Sequence, residues 1–360
     1  MKKRLLAVIV SLSLLLTGCA SLLEREYVDI TTHNTTITAE GDPSVLRAES
    51  YQELVNALMF FITQQAKTGT VRLYSDAESV ESDLEAACLE VVQEDPLGAY
   101  SVDYIKYSVK SIVTYSEADV QITYRRTPEQ IGSIVSATGA IAIRNELAEA
   151  LSAFSSELVL RIGFFDKDED YILSLCREAF LSTPATALTM PEVAVSIYPD
   201  SGRQRIVELI LSYDLSPQEL QSRKDLLAQK CEELVLDLSL ADPEQPISAA
   251  AQLIIDRSQY DTQGGSTAYH ALVNGSADSL GLSLAVACLC ERLGADFRIV
   301  EGSLEGEPHC WLLVFTERGW THLDPSRDAF FHSDGQLEEA GYTWDSEGLP
   351  PAEYSNREPE

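Results

Sequence analysis

Read for hydrophobic periodicity, the chain opens on an apolar run from Leu5 to Leu16, preceded by Lys2, Lys3 and Arg4 and followed by Leu16-Thr17-Gly18-Cys19. The run is too short to span a hydrocarbon core of ~30 Å. It has the order of a secretory leader, residues 1–19, with a lipobox that makes Cys19 the lipid-bearing N-terminus after cleavage. Residues 20–46, rich in Thr, Asn and Glu with Gly41 and Pro43, read as a tether with one extended segment.

Beyond the tether, helical and strand periods alternate. The pattern predicts a helix over Tyr51–Lys67, a strand over Thr70–Tyr74 and a helix over Val80–Gln93. Strands follow near Tyr104–Tyr115 and Ala118–Arg125, closed by Thr127-Pro128-Glu129-Gln130. A second series runs through Asn145–Ser155, Leu158–Phe164, Tyr171–Phe180, Val193–Tyr198 and Ile206–Tyr213, closed by Ser216-Pro217-Gln218-Glu219. Arg72 and Arg161, Tyr124 and Tyr213, and Pro128 and Pro217 are each 89 apart (161 − 72, 213 − 124, 217 − 128). Shared spacing of distant features indicates two tandem α+β repeats, residues 47–131 and 140–221. TPEQ and SPQE both read as helix starts, with a hydroxyl cap and Pro at the first helical position.

Neither repeat carries a catalytic constellation. The acidic loop of Asp166, Asp168, Glu169 and Asp170 lacks the Gly and closing Glu of a calcium loop and reads as a solvated turn. Arg72 and Arg161, central in strands, suit either a ligand carboxylate or an internal salt bridge. A connecting helix, residues 216–242, shows Leu220, Leu226, Leu227, Cys231, Leu234 and Leu238 as its apolar stripe. Ala241 to Pro246 breaks it and places a boundary before a last domain, residues 245–352.

In that domain a helix start is marked by Gly275, Ser276 and Asp278. Leu282, Ala285, Val286, Leu289 and Leu293 then recur at helical spacing, and Gly294 suits a left-handed C-terminus. Three strand-like runs follow: Asp296–Glu301, His309–Thr316 and Trp320–Asp324. The last two are joined by Glu317-Arg318-Gly319, which is hairpin chemistry. A helix N-terminus followed by a strand opening on His and another ending on Asp is an arrangement of nucleophile, base and orienter.

These residues resemble the transglutaminase-like superfamily of papain-fold thiol enzymes, in the form found on bacterial surface proteins. The resemblance rests on Tyr260-Asp261, Ala268-Tyr269, Ala271-Leu272-Val273, Gly275, Leu293-Gly294, Gly302, His309-Cys310-Trp311 and Trp320-Thr321-His322-Leu323-Asp324, in that order. It covers the last third of the chain. It implies an α+β papain-like core, its N-terminal helix packed on an antiparallel sheet, and a triad whose thiol position falls on Ser279, with His309 and Asp324 kept. Tyr260, Trp311, Trp320 and His322 are then expected around the triad as groove or supporting residues.

A hydroxyl is a far weaker acid than a thiol of pKa ~8.5, so a site shaped for sulfur and given oxygen is expected to be inactive. On that reading Ser279 serves as a helix N-cap, and the domain acts as a peptide or cell-wall binding or scaffolding module. The alternative is an active serine variant working on extracellular peptide or peptidoglycan amide bonds through Ser279, His309 and Asp324. A third reading makes the domain a structural cap and gives partner binding to the repeats. Cys310 points away from His309 along its strand, and Cys288 lies about 13 Å down the helix, so neither replaces the thiol.

Acidic residues number 57 against 26 basic, a formal charge of −31, which argues against nucleic acid as a partner. Cysteines beyond Cys19 are scattered within apolar patterns, without CxxC pairs, so buried free thiols and no metal or other cofactor are expected. The whole describes a lipoprotein on the outer face of a bacterial cytoplasmic membrane.

Overall fold

The computed structural model describes residues 38–39, 42–74, 79–241, 246–327 and 329–353. The leader, Cys19 and the tether up to residue 37 lie outside the described residues. By its contacts the chain gathers into two compact units, residues 1–91 with 105–122, and residues 92–104 with 123–360.

In the first unit, β1 (Thr38–Ala39) and β2 (Val45–Ala48) precede α1 (Tyr51–Thr63), β3 (Thr68–Leu73) and α2 (Val80–Gln93). Most of β4 (Val102–Ile112) and β5 (Tyr115–Tyr124) complete a sheet of order β1-β2-β3-β5-β4. Ser50 caps α1 by accepting from the Glu53 NH, and Leu54, Val55, Leu58, Phe61 and Ile62 form its buried face. Glycine at residue 69 leaves room for the Phe61 ring, whose tip a Cβ there would meet at 2.4 Å. Leu46 and Ala48 are wholly buried. With these two apolar residues at alternate positions turned inward, β2 joins the sheet at the end of the stretch whose composition suggested a tether.

The second unit opens with α3 (Pro96–Ser101) and α4 (Pro128–Gly132), the latter held by a reciprocal Thr127–Gln130 capping box. Then come β6 (Val135–Ala137), α5 (Gly139–Ser152), β7 (Glu157–Ile162), α6 (Glu169–Ser182), β8 (Glu192–Tyr198) and β9 (Arg205–Ser212). Their sheet order, β6-β7-β9-β8, repeats β2-β3-β5-β4 of the first unit. The register repeats too. Leu46 faces Val71 and Arg72 faces Glu117, while Val135 faces Leu160 and Arg161 faces Ile206. Each position is displaced by 89 (135 − 46, 160 − 71, 206 − 117). In the acidic loop, Asp168 caps α6 by accepting from the Tyr171 NH. Arg72 is paired with Glu117 at 3.2 Å.

The remaining elements are α7 (Pro217–Ala241), α8 (Pro246–Arg257), β10 (Gln259–Gly265), a π-helical turn (His270–Asn274), β11 (Ser276–Ala277) and α9 (Ser279–Leu293). An antiparallel sheet of order β15-β14-β13-β12-β16 follows, from β12 (Phe297–Leu304), β13 (Glu307–Thr316), β14 (Gly319–Asp324), β15 (Ala329–His332) and β16 (Tyr342–Trp344), with α10 (Asp334–Glu339) between the last two. The apolar spacing of α9 suggested one buried stripe, yet every residue from Ser279 to Cys290 is buried. Helices α7 and α8, the β10 strand and the β12–β13 face surround it, as befits a helix apolar on all sides.

On α7, Leu220, Leu227, Cys231, Leu234 and Leu238 are buried, whereas Leu226, expected in the same stripe, is 44% exposed. One continuous core runs from Ala137 of the second repeat through α7 to Leu323. The helix break before Pro246 therefore does not divide the core, because α7 presents apolar residues both to the repeat and to α9.

Candidate functional site

Gly275, at φ 79°, closes the π-helical turn in a left-handed conformation and redirects the chain into β11. Asp278 then caps α9, accepting from the Gly281 NH at 2.8 Å and from the Ser266 hydroxyl. Ser279 is thus the first helical residue and not the cap. The carboxylate takes the capping role because it both accepts the free NH and complements the helix dipole. Gly281 is packed tightly: a Cβ there would meet the Gly265 carbonyl oxygen at 2.6 Å and the Ala277 Cβ at 2.7 Å. Gly281→Ala is expected to lower stability by about 1–3 kcal/mol, seen as a lower midpoint in a urea titration, because backbone rather than a flexible side chain blocks the methyl.

Ser279 is 8% exposed, and its Oγ accepts a hydrogen bond from the Cys310 backbone NH at 3.2 Å. That bond joins the head of α9 to β13 one residue from His309. Along β13, His309 and Trp311 share one face and Cys310 takes the other. His309 Nε2 lies 2.6 Å from Asp324 Oδ2, and the two residues are 5% and 1% exposed. The Tyr342 hydroxyl donates to the same oxygen at 2.7 Å. Ser326 donates to Oδ1 through its hydroxyl at 2.7 Å and its NH at 2.8 Å. Burial pushes the Asp324 carboxyl up, but the bonds and charge of His309 and the Tyr342 and Ser326 donors outweigh it, holding the group below the ordinary carboxylate range.

Behind this pair stands Trp311, with no exposed surface. It stacks on His309 at 6.3 Å and meets Tyr342 and Trp344 edge-on at 5.1 and 5.6 Å. Its indole NH donates to His322 Nδ1 at 3.0 Å, and His322 Nε2 lies 2.8 Å from Asp334 Oδ1. An indole nitrogen can only donate, so Nδ1 is unprotonated and the proton of the neutral ring sits on Nε2, facing the carboxylate. His322 therefore reaches His309 only through Trp311.

The thiols stand apart from this arrangement. Burial, then the charge of Glu301, pushes the Cys310 thiol up to about 12. Glu301, its cross-strand partner, is held by a fork from Arg177 at 2.6 and 3.2 Å. Cys288 and Cys290 are wholly buried within α9. Among the described residues no group of three or more His, Cys, Asp or Glu side chains is disposed to hold a metal ion.

Residues 234–325 match the sequence profile of the Transglutaminase-like superfamily. This is a transglutaminase-like domain. The match begins within α7 and ends one residue past Asp324, so it takes in Ser279, His309 and Asp324. Among solved structures, the chain is similar to a TGase at 14% identity, covering 70% of this chain and 71% of that one with a TM-score of 0.28. It is also similar to a proposed cysteine protease from Cytophaga hutchinsonii, at 12% identity over 45% and 69% of the two chains, with a TM-score of 0.27. A proposed protease from Parabacteroides distasonis shows 8% identity over 72% and 40%, with a TM-score of 0.21. Comparison with curated protein sequences returned no significant match.

Within the transglutaminase-like domain, Tyr260 pairs with Ala277 and so lies beside the start of α9. Trp320, expected near the His309 pair, packs on Phe315 at 5.4 Å beneath Arg298 and against the cluster that holds Trp311 and Tyr342, at the opposite end of β14 from Asp324. The length of β14 separates them. Tyr342, Ser326, Asp334, Trp344 and the Cys310 NH had no part in the sequence reading of the site. Asp324-Pro325-Ser326 carries the signal of a side chain accepting from the NH two residues on, and Tyr342-Thr343-Trp344 has strand alternation. The Cys310 NH carries no sequence signal, since every residue but proline has one.

Proposed function

We propose that this is a lipid-anchored cell-surface protein whose transglutaminase-like domain binds a peptide or cell-wall ligand without catalysing its turnover. The observation that carries the reading is the hydroxyl of Ser279 at the head of α9, where a thiol of this fold would be ionised by the helix dipole and the His. A hydroxyl gains little from the dipole and must lose its proton to a base during attack. Its oxygen accepts from the Cys310 NH, and His309 Nε2 faces Asp324, so each already has one protein partner. The anchor rests on Leu16-Thr17-Gly18-Cys19 behind a basic and apolar leader, and the acidic surface suits a solvated extracellular location. Among the described residues no helix is long and apolar enough to cross a membrane.

A serine-active reading has one observation in its favour: the NH aimed at Ser279 Oγ would also stabilise negative charge on that oxygen. Fluorophosphonate labelling of the full chain, read by intact mass, separates the two. The expected result is no adduct on wild type, while Ser279→Cys gains a residue that iodoacetamide alkylates faster than any native thiol. A wild-type adduct that Ser279→Ala lacks would overturn the binding-module reading.

A further inference from the structure

At the border of the transglutaminase-like site, Arg327 has no carboxylate partner among the described residues. Arg327 follows Asp324 by three residues, in the turn where its NH is bonded to the Asp324 carbonyl at 3.4 Å. Its guanidinium is exposed and sits over the ring of Tyr260 at 5.8 Å. Tyr260 belongs to the other side of the site, because β10 places it against Ala277, two residues before Ser279. The stack thus joins the strand beside the α9 N-terminus to the turn after Asp324. Both residues lie within electrostatic range of the Tyr342 hydroxyl, which is itself bonded to Asp324.

The chain carries 57 acidic residues against 26 basic ones, so an arginine readily finds a carboxylate. Arg177, on the far side of Cys310, is forked onto Glu301 in this way. Arg327 has no such partner among the described residues. A guanidinium held over an aromatic ring without a carboxylate partner has NH groups available for an incoming planar anion, which arginine binds through two parallel hydrogen bonds. The ring limits the loss of side-chain freedom on binding.

Extending the proposed binding role, on which this rests, we infer that Arg327, seated on Tyr260, is the anchor for a carboxylate of the ligand, so that the site selects peptides bearing a free carboxyl group. The net negative charge of the chain disfavours anions in general, which sets this exposed cation apart as an anchor.

Alkylation at position 279 tests this with two small reagents of similar shape and different charge. In Ser279→Cys, rates for anionic iodoacetate and neutral iodoacetamide are measured at residue 279 by peptide mass spectrometry, with N-acetylcysteine as reference. The expected iodoacetate-to-iodoacetamide ratio exceeds that of N-acetylcysteine and falls about fivefold on adding Arg327→Gln, the loss of one nearby unit charge. Arg327→Lys is expected to restore part of the ratio, and Tyr260→Leu to lower it by releasing the guanidinium. A ratio at or below the reference, equal effects of Arg327→Gln on both reagents, or no alkylation at 279 by either would overturn the inference. Failure of the non-catalytic reading shows separately, as phosphonate labelling of wild-type Ser279, which leaves this ratio untouched.

Discussion

Replacing Asp324 by alanine is expected to destabilise the transglutaminase-like domain by about 3–5 kcal/mol, because it strands several buried donors at once, each costing about 1–3 kcal/mol. The carboxylate accepts from His309 Nε2, the Tyr342 hydroxyl and both the hydroxyl and NH of Ser326. With the acceptor gone, His309 and Tyr342, at 5% and 4% exposure, keep polar groups that water cannot reach. Asp324→Asn preserves shape and one acceptor, so its cost is smaller. All three tryptophans, Trp311, Trp320 and Trp344, lie beyond residue 300, so fluorescence in a urea titration reports on unfolding around them.

The pH dependence has a definite sign. The folded-state pKa of Asp324 is depressed, so its contribution is fully present above the unfolded value of ~3.9 and is lost as pH falls from there through the folded pKa. The gap between wild type and Asp324→Ala is therefore expected to narrow below about pH 4. A gap that stays unchanged to pH 3 would show that the carboxylate charge contributes nothing to folding.

The second large effect is expected at Trp311. Truncation to alanine removes the largest fully buried side chain and leaves His322 Nδ1 without its donor. About 3–5 kcal/mol is expected from the cavity alone. Trp311→Phe separates the two effects, since it retains most of the packing and removes only the indole NH, at about 1–3 kcal/mol for an unsatisfied buried acceptor.

It also alters titration. Burial holds the His322 imidazole below the ordinary histidine value, against the opposing pull of Asp334. A depressed histidine costs stability as pH falls below ~6.5, because the unfolded chain then binds the proton first. Protonation in wild type would set a ring N–H against the indole N–H. In Trp311→Phe that conflict disappears and the Asp334 interaction remains, so the loss of stability between pH 6.5 and 5 is expected to be shallower than in wild type. Urea titrations across that range decide it; parallel slopes would refute the assignment of Nδ1 as the acceptor.

Much of this molecule was legible in residue order. The run from Tyr260 to Asp324 marks a buried helix start, two strands and a hairpin through local signals: Asp278 and Gly294 at the helix ends, Gly319 at the turn, and alternation along β13. The 89-residue spacing read from residue order also separates corresponding positions in strand register. Other features were hidden. The capping role belongs to Asp278 rather than Ser279, a shift of one residue that depends on where the π-helical turn ends. The burial of α9 on all sides depends on α7 and α8 closing over it, and α7 also fuses the second repeat to the same core.

By itself, the sequence determined the elements, their order and the residue types at positions 279, 309 and 324, because propensity, capping and hydrophobic period are local properties of the chain. Only the tertiary structure decided which donors surround each of them. Tyr342, Ser326 and the Cys310 NH come to the site from strands and turns whose approach depends on sheet register. The same register separates Trp320 from Asp324 and seats Arg327 on Tyr260. Hydrogen bonds are satisfied in three dimensions, between groups that need share no spacing along the chain.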